Sequence, residues 1–203
     1  MSAPSHSSSS VTPTIVVPTV PHGTAAVLPF FGFIEGTLIT CKVNNTEQGV
    51  PVQNLKKGML VKTSTGSFRP VDKVGTRELT NPSSTDRLAN RLYTLSKASY
   101  PSLTEDLTIT GNRSTLIPTA SDVEKRQMIV AHGRICVTDK KFCLPSAADA
   151  HATPFTVEGA ITVYNFSLDH PIATMNYGVY ANGLVVDCSS KAHMMNKAYT
   201  ILA

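Results

Sequence analysis

Cysteine and histidine are the residue types in this chain that could hold a metal or carry out nucleophilic chemistry. Four cysteines and six histidines are present. Cys136 and Cys143, flanked by His132 and His151, form a candidate zinc site. Their spacings match none of the usual zinc-ligand patterns, and the chain has no CxxC pair. We therefore expect buried free thiols in a reducing compartment, and neither a metal nor a cofactor.

Further acid–base groups lie in the second half of the chain and keep a hydrolase under consideration. Besides His132 and His151 they are His170, His193, Asp169 and Asp187, with Ser114 as a hydroxyl. No motif spacing assigns any of them a catalytic role, so we expect satisfied or solvated histidines.

The composition favours a folded, β-rich protein, with 41% hydrophobic and 16% charged residues. The net charge of +4 could favour binding to nucleic acid or to a membrane surface. The densest basic pairs, Lys125-Arg126 and Lys140-Lys141, have no interleaved aromatic residues, so nucleic-acid binding is not favoured. The chain has no apolar run of 18 residues and no secretory signal at its start, so no membrane span is expected.

Residues 1–31 differ from the rest in being rich in proline and serine. Five prolines and the run Ser7–Ser10 separate short apolar stretches. Proline favours extended chain and lacks a backbone donor, so we expect an arm that docks on other protein subunits. The expected partner-binding residues are Ile15, Val16, Val17, Val20, Val27, Leu28, Phe30 and Phe31.

Residues 32–188 alternate short β-rich segments with turn signals, which predicts one all-β, mostly antiparallel domain. The expected strands include Thr37–Val43, Met59–Thr63, Asp106–Thr110, Met128–Thr138, Ile161–Leu168 and Gly178–Asp187. One or two helical turns are expected over Asp86–Leu92. Residues 189–203, chiefly Lys191–Leu202, are expected to form a short C-terminal helix. The predicted core contains Leu38, Val61, Ile109, Val163, Phe166, Val179 and Leu184.

Three ordered segments carry a family resemblance. They are GFIEGTLITC with GVPVQNLKKGMLVKT, then DLTITGNRSTL, then TVYNFSLDH with YGVYANGLVVDC. Together they resemble the hedgehog/intein (Hint) family, whose members are compact β-domains that cleave themselves. Further stretches, such as RLYTLSKASYPSLTEDLTITG, are similar to a Hint subgroup associated with large DNA viruses of eukaryotes.

The resemblance implies catalytic positions that this chain no longer fills. The family's first residue is a cysteine nucleophile, and Gly32 stands there. In the Thr-x-x-His block Thr110 is kept, but Arg113 replaces the histidine and cannot act as a base. The closing His-Asn is also missing, since Asp187 and Cys188 follow the last strand. Cys41 lies too far into the first strand to be the nucleophile.

These degenerate positions predict a non-enzymatic protein that keeps the Hint fold for its shape. The expected function is structural or assembly-related, as a minor capsid component located in the virion, or in the host cytoplasm if the protein is not viral. Its expected partners are other subunits of a large assembly. The alternative is a self-processing autoprotease or hydrolase with residual activity.

Overall fold

The structure is a computed structural model that describes residues 31–195 and 199–202. Within this part the chain is mainly short strands. They are β1 (Phe33–Ile34), β2 (Leu38–Val43), β3 (Thr46–Pro51), β4 (Leu60–Lys62), β5 (Phe68–Asn81), β6 (Leu92–Leu95), β7 (Leu107–Thr110), β8 (Ser114–Ile117), β9 (Val137–Thr138), β10 (Lys141–Pro145), β11 (Ala152–Pro154), β12 (Gly159–Leu168), β13 (Gly178–Ala181), β14 (Leu184–Asp187) and β15 (Thr200–Leu202). The helices are α1 (Asp122–His132), α2 (Lys191–Met195) and a 3-10 turn at Val52–Asn54.

The strands form one continuous hydrogen-bonded path in the order β11-β6-β7-β1-β12-β5-β4-β2-β13-β14-β8-β10-β9. β15 adds to β5, and β3 adds to β2. Pairings between these strands are antiparallel throughout the described chain. The long strand β5 pairs with β4 at its start and with β12 along the rest, so it links the two halves of the path. The expected all-β, mostly antiparallel class is confirmed.

Two turns that contain asparagine join the strands of two hairpins. Asn44 and Asn45 both have positive φ between β2 and β3. Asn182 and Gly183 do the same between β13 and β14, where Ala181 pairs with Leu184. Asparagine and glycine tolerate this left-handed backbone, which matches the twist of the strands they join.

Six of the seven predicted core residues are buried, and Leu38 is not. Leu38 is only half-buried, whereas Ile39 and Cys41 on the opposite face of β2 are fully buried. The prediction at Leu38 was therefore wrong by one residue, because alternate side chains of a strand point to opposite faces. Cys41 is a buried strand residue, as expected.

The helices differ most from the sequence prediction. The expected strand Met128–Thr138 begins inside α1, and only Val137–Thr138 is extended. The signal that was missed is a capping box: the Ser121 hydroxyl accepts from the Glu124 N–H while the Glu124 carboxylate accepts from the Ser121 N–H. Only Met128 of α1 is buried, so the apolar spacing gave little indication of a helix.

One further helical prediction was wrong, because Asp86–Leu92 has no helix and Leu92 begins β6. The expected short C-terminal helix is present as α2, Lys191–Met195. It does not extend to Leu202, because Thr200–Leu202 forms β15 against β5. Gly75 lets this segment pack closely, because a Cβ there would lie 3.0 Å from the Tyr199 Cβ and 3.3 Å from Ile201 Cδ1, tighter than ordinary contact.

Removing the capping hydroxyl should weaken α1 selectively. We expect Ser121→Ala to lower the free energy of unfolding by about 1 kcal/mol in urea titrations, because an N-cap acceptor is lost. Ser83→Ala, at an exposed loop serine, is the matched control and should leave the unfolding curve unchanged. Equal stability of the two variants would contradict the capping role.

Candidate functional site

Gly32 and Thr110 are joined through both backbone and side chain. The Gly32 N–H donates to Thr110 Oγ1 at 3.0 Å, and the Thr110 N–H donates to the Gly32 carbonyl at 3.1 Å. The pairing of β1 with β7, with Phe33 opposite Ile109, brings them together. Thr110 is completely buried, so its hydroxyl is fixed on the Gly32 amide.

No space is available for a side chain at Gly32. A Cβ added there would lie 2.7 Å from the Val163 Cβ and 2.8 Å from its Cγ2. Such distances are well inside van der Waals contact, and the colliding Cβ is attached directly to the backbone of β12. A nucleophilic side chain at residue 32 would therefore require β1 and β12 to separate.

Arg113 lies in the core beside Gly32, where its side chain has no exposed surface. The turn after β7 positions it, since the Arg113 N–H donates to the Thr110 carbonyl at 3.0 Å. Its guanidinium stacks 4.0 Å above the ring of Phe33 and donates to Asn165 Oδ1 at 2.6 Å. It also donates to the Asp187 backbone carbonyl, while its Nε has no hydrogen-bond partner in the described chain.

Asp187 supplies the negative charge nearest to this guanidinium, with Oδ1 3.7 Å from the Arg113 Nη1. The same oxygen accepts from the Ser114 N–H at 2.9 Å. Burial raises the pKa of Asp187 from 3.8 to about 6, and Arg113 opposes that rise. Burial also lowers the pKa of Arg113, but a guanidinium remains protonated at any relevant pH.

Gly32, Thr110, Arg113 and Asp187, which the sequence analysis selected from separate segments, thus meet in one buried cluster. Asn165 completes it and was missed. Its amide donates to Ser189 Oγ at 2.7 Å while its Oδ1 accepts from Arg113. The available signal was a polar amide in the middle of the apolar strand β12, because a buried amide needs hydrogen-bond partners.

Phe31, which the sequence analysis placed in the docking arm, contacts the C-terminal segment of the domain. Its backbone N–H donates to the Tyr199 hydroxyl at 3.2 Å, and that hydroxyl donates to the Phe31 carbonyl at 2.7 Å. Its ring meets the His193 ring edge-on at 4.8 Å. These contacts anchor the first described residue to the C-terminal segment. The other seven proposed docking residues, from Ile15 to Phe30, lie outside the described residues.

Two adjoining clefts open at this cluster, with volumes of about 350 Å³ and 230 Å³. Phe31, Arg134, Asn176 and Asp187 line both. His132 lines the larger cleft and His193 the smaller. Burial lowers the pKa of both imidazoles, which are therefore uncharged at neutral pH.

Three of the other candidate groups lie away from these clefts. His151 packs edge-on against Tyr100, His170 against Tyr177, and Asp169 forms an ion pair with Lys191 at 2.8 Å. The Ser114 side chain is buried beside Asp187 and borders the larger cleft. Within the described residues no group of three or more histidine, cysteine or acidic side chains could hold a metal, and no helix is long and apolar enough to cross a membrane.

Neither a protein-family model nor a curated protein matches the chain. Among solved structures it is similar to a bacterial intein-like domain from Clostridium thermocellum, at 15% identity and a TM-score of 0.44, over 78% of this chain and 98% of that one. The gp41-1 intein gives 12% identity and a TM-score of 0.39, over 77% of this chain and 97% of that one. A G-1F mutant of the Ssp DnaB mini-intein variant M86 gives 14% identity and a TM-score of 0.40, over 79% of this chain and 99% of that one. All three similarities are low both in sequence identity and in TM-score.

The buried Asp187 should make stability depend on pH in an unusual direction. Because its pKa is higher in the folded state than in the unfolded chain, the folded state binds more protons between about pH 4 and pH 6. The contribution of Asp187 to the free energy of unfolding should therefore fall as pH rises through this window, by on the order of 2 kcal/mol. Asp187→Asn should remove this slope, as measured by urea unfolding at several pH values.

The matched control is Asp169→Asn, which removes an exposed carboxylate paired with Lys191. The pKa of Asp169 is lowered through its hydrogen bond to Lys191, so its own contribution has the opposite sign. The Asp169→Asn variant should keep the falling slope between pH 4 and pH 6. An unchanged slope in Asp187→Asn would show that Asp187 titrates normally.

Proposed function

We propose that this chain is a non-enzymatic assembly protein, a minor capsid component in which the Hint-like domain serves as an inert scaffold. The observation that carries this proposal is the Gly32–Arg113 pair. One residue has no nucleophile and no room for one, and the other is a permanently charged group in place of a base.

The contacts of Arg113 support an inert site, since they leave it no freedom to act as an acid–base group. Its Nη atoms are already directed at the Asp187 carbonyl and at Asn165. A general base must accept a proton during the reaction, and a guanidinium with these bonds has no lone pair to do so. The cluster is therefore suited to holding strands together.

The segment before Phe31 supports the assembly role. Phe31, the first described residue, borders both clefts. Residues 11–30 combine β-branched side chains and one phenylalanine with prolines, a composition suited to strand addition or docking on a neighbouring subunit. We propose that these residues bind other subunits of the virion.

The two basic pairs give little support for a nucleic-acid partner. Lys125 pairs with Asp122 at 3.5 Å and lies over the Phe142 ring, so it is partly engaged within the domain. Lys140 has positive φ in the turn between β9 and β10. A groove lined by cations and stacking aromatics is the usual site for single strands, and these two pairs do not suggest one.

The absence of self-cleavage is the direct test of an inert Hint-like site. The full-length chain, incubated with dithiothreitol or hydroxylamine, should keep its full mass by intact-mass spectrometry, because no thioester can form at Gly32. A Hint domain with its cysteine intact, treated in parallel, is the positive control. A fragment beginning at residue 32 or 33 would overturn the proposal and support residual self-processing.

The same test extends to a chain with the nucleophile restored. Gly32→Cys should also stay uncleaved and should lose on the order of 1–3 kcal/mol of stability through the collision with Val163. Adding Val163→Gly relieves the collision and should recover part of that loss in a double-mutant cycle. Cleavage of the single Gly32→Cys variant would show that the site is still competent.

Deleting residues 1–30 should separate folding from assembly. We expect the remaining domain, which keeps Phe31, to unfold within a few degrees of the full chain, because its buried cluster is intact. Incorporation into particles, measured by co-purification, should be lost. The matched control keeps the length of the arm and changes Ile15, Val16 and Val17 to serine. If the deleted protein assembles at normal levels, the docking surface lies on the β-domain.

A further inference from the structure

Cys136 and Cys143 stand directly opposite each other across two neighbouring strands. The register of β9 with β10 pairs Lys141 with Thr138 and Phe142 with Val137. If this register is continued by one residue, Cys143 lies opposite Cys136. The Cys143 N–H donates to the Cys136 carbonyl at 3.0 Å. The two residues therefore form a hydrogen-bonded antiparallel pair at the open end of the ladder.

Both thiols lie on the same side of this hairpin. The Cys143 thiol contacts Thr138 Oγ1 at 3.4 Å, and residues two apart on a strand share a face, so Thr138 and Cys136 point the same way. Both cysteines line the larger cleft, beside Phe31 and Asp187. Opposite residues of such a pair have Cα atoms about 5.5 Å apart, which lies within the 4.4–6.8 Å range of disulfides.

We propose that Cys136 and Cys143, both free thiols in this structure, form a reversible cross-strand disulfide in the wall of the cleft. The bond would fasten the segment that follows α1 to β10. That segment, from His132 to Thr138, forms one side of the larger cleft. Oxidation would therefore add a covalent link to the backbone hydrogen bonds that already join this side to β10.

The other two cysteines lack such a partner in the ladder. Cys41 is paired with Gln48 on β3 and with Val61 on β4. Cys188 follows β14, and its N–H donates to the Tyr177 carbonyl. Both are almost completely buried. They serve as internal reference thiols for the proposed pair.

The chemistry needs an oxidant, and a small-molecule disulfide such as oxidised glutathione supplies it. The half-exposed Cys136 attacks as thiolate, forms a mixed disulfide and displaces one glutathione thiol. Cys143 then attacks the Cys136 sulfur and displaces the second. Two protein thiols and one oxidised glutathione thus become one protein disulfide and two reduced glutathiones.

The second step should be slow at neutral pH. Burial raises the pKa of the Cys143 thiol to about 12, so little of it is thiolate. The thiolate fraction grows about tenfold for each pH unit below that value. The second step should therefore become about thirtyfold faster from pH 7 to pH 8.5 and should keep accelerating above pH 9, where an exposed thiol with a pKa of about 8.5 is already mostly thiolate. This continued rise distinguishes the pair from an exposed dithiol of ordinary pKa.

The test uses the reduced full-length chain incubated with oxidised glutathione, then acid-quenched and alkylated under denaturing conditions. Intact mass should show two alkylated thiols instead of four, without a glutathione adduct, and peptide mapping should join residue 136 to residue 143. Cys136→Ser and Cys143→Ser should each abolish the bridge. The double change Cys41→Ser and Cys188→Ser is the matched control and should leave it intact.

Three results would overturn the proposal. They are four alkylated thiols at every pH, a lasting glutathione adduct on Cys136 with Cys143 unreacted, and a bridge in any other pairing, including one between two chains. Because Cys136 is half-exposed, its serine variant is expected to fold, so loss of the bridge in that variant reports on the bond itself.

Discussion

Arg113 carries a permanent positive charge into a position from which its side chain reaches no solvent. Placing such a charge in a protein interior is costly unless acceptors surround it. The acceptors come from distant parts of the chain: the ring of Phe33 on β1, Asn165 on β12, and both the carbonyl and carboxylate of Asp187 at the end of β14. The strands that supply these acceptors must therefore pack around the guanidinium before its buried charge is stabilised.

This constraint explains why the two ends of the described chain meet at the same place. Asn165, which accepts from Arg113, also donates to Ser189, and the C-terminal Tyr199 hydroxyl bonds the backbone of Phe31. A chain of hydrogen bonds thus connects the start of β1 with the residues after β14. Interior hydrogen bonds of this kind strengthen one another in a low-dielectric medium. Losing one of them leaves a buried donor or acceptor without a hydrogen-bond partner.

Local signals in the sequence were sufficient wherever one residue type dictates the backbone. The Asn44-Asn45 and Asn182-Gly183 turns are of this kind, since few other residues accept positive φ. Features that depend on distant packing were missed. The C-terminal strand lies on β5 because Gly75 leaves space there, and nothing in the spacing of residues 191–202 indicates that space. Helix α1 buries only Met128, so its capping box was a better indicator than its apolar pattern.

The cluster itself was half predictable, for a related reason. Gly32, Thr110, Arg113 and Asp187 stand out because their segments resemble Hint motifs, whereas the role of Asn165 becomes visible only once a guanidinium needs an acceptor. A residue that acts as a general acid or base must exchange a proton, which requires a pKa near the working pH and some freedom to move. Arg113 has neither, since its charge is permanent and its hydrogen bonds fix it in place. Its guanidinium therefore joins β1, β12 and the end of β14, and because its charge is permanent this cross-link persists at any relevant pH.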